Sequence, residues 1–152
     1  MSTTEHQQTT TLYHIQEEIE ALIREFEART LPREKWTHLA HLTMALYYLT
    51  SYPVSEATER IRSGIQRLNE AHGVKMTKDH GYHETITLFY IWAVGEYLQN
   101  TDSNSSIVEL ANGLINSLYA EKNFPLEFYS RERLMSWEAR IGWLEPDLKM
   151  LD

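Results

Sequence analysis

Residues 36–55 read WTHLAHLTMALYYLTSYPVS and residues 85–95 read TITLFYIWAVG; neither stretch contains an Asp, Glu, Lys or Arg. A helix that is apolar on every side is buried on every side. The two stretches therefore predict a pair of central helices with the rest of the chain packed around them. The first is nearly long enough to span a bilayer. Its His38, His41, Thr37, Thr43, Tyr47 and Tyr48 load it with polar atoms, which favours a core helix over a membrane span.

Amphipathic segments flank this pair. Leu12, Ile15, Ile19, Leu22, Ile23 and Phe26 recur at helical spacing and predict a first helix from about Thr11 to Arg29. Thr30-Leu31-Pro32 punctuates it, and Pro32 suits the first turn of the next helix, which runs from about Arg33 to Ser51 and ends ahead of Pro53. A third helix starts with Ser55 as N-cap, turns Ala57, Ile61, Ile65 and Leu68 inward, and stops at Gly73. The fourth is expected from about Asp79 to Asn100 and the fifth from about Ser105 to Glu121. Short connections favour antiparallel neighbours, so the fold class is all-α, an up-and-down bundle of about five helices. Residues 124–151 are rich in Phe, Tyr, Trp and Met and are expected to wrap the bundle in short turns begun by Ser130 and Ser136. Residues 1–11, His6 included, read as a disordered tail, and 12–152 as one domain.

Bulk properties narrow the function. At 152 residues the chain can bury a sizeable core. A net charge of -8 argues against nucleic acid and against an anionic membrane surface as partners. The tail lacks the basic-then-apolar pattern of a secretion signal, which makes a cytoplasmic location the expectation. There is no cysteine, so any metal would be held by nitrogen and oxygen.

The titratable residues of the predicted core are histidines and one glutamate. His38 and His41 are three apart on the second helix. His80, His83 and Glu84 would share a face of the fourth at spacings of three and four. In an up-and-down bundle both clusters lie near the same end, and His72, in the last turn of the third helix, arrives there too. Facing helices with inward His and Glu are a common way to build a metal site in a bundle. His38, His41 and His83 are the expected ligands, with His80 and His72 in reserve. Core histidines are also often satisfied by ordinary hydrogen bonds, and His72 fits equally as a charge at a helix C-terminus. Glu84 has three open roles: ligand, a partner orienting a histidine, or a catalytic general base. Thr87 stands where a zinc protease would carry its second His, so that motif is absent.

Such donors suit a divalent transition metal, Fe or Zn first, with Mn, Ni and Cu also compatible. Iron would point to an oxidoreductase and zinc to a hydrolase. Tyr48, Tyr82 and Tyr90 could line a substrate pocket, and Arg131 and Arg133 could hold an anionic substrate or simply pair with Glu127 or Glu132. Trp92 and Trp143 could leave an apolar face for a homodimer.

The strings WTHLAHL (36–42), GYHETIT (81–87) and YSRERL (129–134) resemble those of a small bacterial family of helical proteins. The resemblance implies a helical fold over most of the chain and carries no particular activity. The expected architecture is also similar to DinB-like bundles, which bind a metal through three histidines; the spacing here departs from theirs, which limits the likeness to the fold. The sequence thus supports two functions. One is a metal-dependent enzyme acting on a small molecule. The other is a non-catalytic metal-binding or protein-interaction module with structural histidines.

Overall fold

The computed structural model describes residues 10–102 and 104–152, and every regular element among them is helical. The α-helices are α1 (Gln16–Ala28), α2 (His38–Ser51), α3 (Val54–Ala71), α4 (Glu84–Gln99), α5 (Ile107–Ile115), α6 (Arg131–Leu134) and α7 (Trp137–Ile141). Short 3-10 turns lie at Arg33–Lys35, Leu118–Ala120 and Phe124–Glu127. No helix of the described residues is long and apolar enough to cross a membrane.

The two uncharged stretches form the central pair. Helix α2 packs against α1, α3, α4 and α5, while α4 packs against α2, α3, α5 and α7. Burial on α2 runs without a break from Leu42 to Leu46, the pattern of a helix enclosed on all sides. The surrounding helices bury one stripe each: Ile19, Ile23 and Phe26 on α1, and Ala57, Ile61, Ile65 and Leu68 on α3. The C-terminal segment wraps α4 as its composition predicts. Phe124, Phe128, Tyr129 and Leu134 close around Phe89 and Ala93 in a second core cluster. Each such buried Phe contributes roughly 2 kcal/mol by area removed from water. Ser130 and Ser136 cap α6 and α7 by accepting from the Arg133 and Ala139 N–H groups.

Several boundaries depart from the apolar periodicity, each for a local reason. The chain before α1 is extended and tied to α5. Asn112 accepts from the Leu12 and Tyr13 N–H groups, and Asn116 exchanges hydrogen bonds with the Thr10 backbone. Thr10 is thus anchored, not part of a disordered tail; residues 1–9, with His6, lie outside the described residues. Helix α1 begins only at Gln16, where the Glu18 carboxylate takes the His14 and Ile15 N–H groups. Helix α3 starts one residue before the expected Ser55 cap, directly after Pro53. Helix α5 ends at Ile115, where Asn116 and Ser117 turn their side chains onto helix carbonyls, a local bonding that competes with helix continuation.

The largest departure is at α4, which begins at Glu84 and not near Asp79. Gly81 sits at φ +91, and a Cβ there would lie 2.7 Å from the Met76 Cα. The chain therefore makes a tight loop through Gly81, and His83, in extended backbone, becomes the N-cap. Gly73, at φ +73, has open space around its missing Cβ. Left-handed backbone costs an L-residue about 1–2 kcal/mol. Gly73→Ala is expected to lose about 1 kcal/mol of stability by urea denaturation, and Gly81→Ala at least twice that, because backbone must also move aside.

Candidate functional site

The start of α2, the end of α3 and the start of α4 meet at one end of the bundle, as the expected topology requires. A cavity of about 410 Å³ there is lined by Trp36, His41, His72, Tyr82 and His83 among others. A neighbouring cavity of about 340 Å³, between α2, α3 and α4, is lined by His38, His41, Thr87, Tyr90 and apolar side chains. His41, Ile65, Ile86 and Thr87 belong to both linings. Four histidines therefore converge. They do not, however, turn their nitrogens toward a common point.

Each converging histidine is bonded to a backbone carbonyl. His38 Nε2 is 2.8 Å from the Ala120 oxygen, His72 Nε2 is 2.7 Å from that of Leu31, and His83 Nε2 is 2.8 Å from that of Leu134. His41 uses its other nitrogen: Nδ1 lies 2.8 Å from the Thr37 oxygen. A carbonyl only accepts, so the bonded nitrogen carries the proton and, in a neutral ring, the second nitrogen presents a lone pair. In His83 that lone pair is also spent, because Nδ1 accepts from the Ile86 N–H at 3.1 Å as the cap of α4.

Burial keeps the His38, His41 and His83 rings uncharged. Burial pushes the His41 imidazole down to about 4, partly offset by its bond to Thr37. Burial also lowers His38 and His83, and the nearby Arg140 guanidinium adds to the shift at His83. His41 is further fixed by stacking on Trp36, with ring centroids 3.6 Å apart.

Glu84 is engaged elsewhere. Arg62 grips it with two donors, Nε to Oε1 at 3.0 Å and Nη2 to Oε2 at 2.6 Å, and the Tyr82 hydroxyl donates to Oε1 at 2.5 Å. Burial alone would raise this carboxyl, but Arg62 and Tyr82 hold it below the usual range. It is thus a salt-bridged carboxylate joining α3 to α4, with no bond to a histidine. His80 is exposed on the loop ahead of Gly81, because the helix that would have carried it inward does not begin until Glu84.

The expected substrate-binding residues separate in the same way. Tyr90 lines the 340 Å³ cavity and Tyr82 the 410 Å³ one. Tyr48 faces a different cavity, between α1 and α3, and donates to Glu27. Arg131 is exposed and Arg133 donates to the Glu145 carbonyl; neither lines the two histidine-bearing cavities. Trp92 and Trp143 pack on the second core cluster, and their ring N–H groups bond to the Asp152 carbonyl and the Glu145 carboxylate.

Among the described residues no group of three or more His, Cys, Asp or Glu is placed to hold one ion. His83 has no free nitrogen, Glu84 belongs to Arg62, and His80 points from a loop.

No protein-family model, curated protein or solved structure matches the chain. The likeness of the Trp36, Gly81 and Tyr129 strings to a bacterial family thus has no matched relative beside it.

Two residues at this end escaped sequence reasoning. Arg62 reads as one more charge on the solvent face of α3. Arg140 is buried and donates through Nη1 to the Gly81 and Tyr82 carbonyls, clamping the loop that His83 closes; its Nε is buried without a partner among the described residues. Spacing within one helix carries no signal for either pairing.

The depressed imidazoles set a pH dependence. A histidine freed by unfolding titrates near 6.5, whereas His41 titrates at about 4 in the fold. The folded chain binds fewer protons across that window, so stability is complete above about pH 6.5 and declines as the pH falls toward 4. Thermal melts should show this decline, and His41→Phe should make it shallower. An unchanged slope would place the His41 titration near that of a free histidine.

Proposed function

We propose that this chain is a binding protein for a small, largely apolar molecule, held in the cavity between α2, α3 and α4. The observation that carries the reading is the cavity's own make-up. It has a volume of about 340 Å³, walls of Leu42, Met44, Ala45, Ile61 and Ile91, and a few polar groups fixed in place by the backbone. Concave, apolar sites of this size with few oriented polar groups are the usual form of a ligand pocket. Saturable binding of an uncharged fluorophore such as N-phenyl-1-naphthylamine tests it. One site per chain is expected, lost in Ile65→Trp, which fills the lining while circular dichroism remains helical. A lack of saturable binding, or binding unaffected by the filled cavity, would contradict it.

A metal-dependent enzyme is the second reading. What favours it is that His38 and His41 each donate one ring N–H to a backbone carbonyl, the arrangement that commonly orients ligating imidazoles. His38 and His41 leave one ring nitrogen each, and His72 a third beside the neighbouring cavity, so such a site would need further ligands from the substrate or solvent. Stoichiometric iron or zinc in protein prepared without a histidine tag, lost in His41→Ala, would favour it; under the cavity reading no stoichiometric metal is expected.

A further inference from the structure

The cavity between α2, α3 and α4 also constrains what it can hold, beyond size and greasiness. Its polar side chains are His38, His41, Thr87 and Tyr90. Each has already committed its proton within the protein. His38 gives its Nε2–H to the Ala120 carbonyl and His41 its Nδ1–H to that of Thr37. The Thr87 hydroxyl donates to the His83 carbonyl at 2.8 Å, and the Tyr90 hydroxyl to that of Glu121 at 2.8 Å. What remains for a guest is lone pairs: His38 Nδ1 and His41 Nε2 both lack a partner among the described residues, and His41 is the ring shared by both cavities. The lining contains no Lys or Arg to meet an anion and no Asp or Glu to meet a cation. An ion entering would shed its hydration without gaining a counter-charge.

We infer that the ligand is an uncharged, predominantly apolar molecule carrying a hydroxyl-type hydrogen-bond donor, a phenol or alcohol, which donates to the His41 Nε2. This rests on reading the cavity as a binding site, and it adds the chemical class. A hydrocarbon of the same shape fits the walls but leaves the imidazole lone pair desolvated and unpaired. A ketone or carboxylate of that shape sets lone pair against lone pair. Rejection of the wrong partner therefore comes from an unmatched acceptor, a stronger discriminator than shape alone.

Three matched probes test this on the full chain at neutral pH: 4-propylphenol, propylbenzene and 4-propylbenzoate, followed by amide NMR shifts. The phenol should bind roughly three- to tenfold more tightly than propylbenzene, the value of one net hydrogen bond, and the benzoate least of all. His41→Phe should remove most of the phenol's advantage over propylbenzene. Independently of any variant, the phenol should shift the His41 Nε2 nitrogen resonance toward lower frequency, and propylbenzene should not. Equal affinity for phenol and hydrocarbon, preference for the benzoate, or a silent Nε2 resonance would overturn the donor class and leave the cavity reading standing. Binding of none of the three would end both.

Discussion

An imidazole N–H held by a backbone carbonyl is the join on which this end of the bundle depends. It occurs at His38, His41, His72 and His83, and in three of them it crosses from a helix terminus to a distant segment: Ala120, Leu31 and Leu134. These carbonyls belong to turns and short helices whose own bonding is incomplete. A buried carbonyl without a partner costs about as much as a lost hydrogen bond. A neutral histidine supplies a donor without bringing a charge into the core, which lysine or arginine could do only at a larger desolvation cost. His83 goes furthest, since one ring caps α4 and fastens the C-terminal wrap at once.

The proposed function rests on the same bookkeeping of donors and acceptors. Once the protons are spent, the surfaces that remain at the cavity are apolar walls and lone pairs. Glu84, half-buried at the start of α4, is withdrawn from that chemistry by Arg62 and Tyr82. The result is a pocket whose polarity has a sign, accepting and not donating, and whose imidazoles burial keeps neutral at physiological pH.

Much of the fold was legible in residue pattern. The absence of charge in 36–55 and 85–95 identifies the central pair, one-sided stripes identify their neighbours, and Ser130 and Ser136 mark the turns of the wrap. The convergence of His38, His41, His72 and His83 at one end also follows from register. What pattern could not supply is the direction of each nitrogen. Helical spacing brings His80, His83 and Glu84 onto one face only if the helix exists there, and Gly81 at φ +91 ends that premise two residues before His83. Histidine is also not among the preferred N-cap residues, so His83 gives no boundary signal of the kind Ser or Asp would. Whether a core imidazole meets a metal or a carbonyl depends on loops such as 117–121 and 134–136, whose paths are set by tertiary packing.

The most direct measurement is the tautomer of each histidine, read from its side-chain nitrogen shifts at neutral pH. Neutral rings are expected at His38, His41 and His83, with the proton on Nε2 in His38 and His83 and on Nδ1 in His41, while His72 should carry a proton on Nε2. A charged His41, or a His41 protonated on Nε2, would contradict it, because the acceptor that the cavity offers would then be gone.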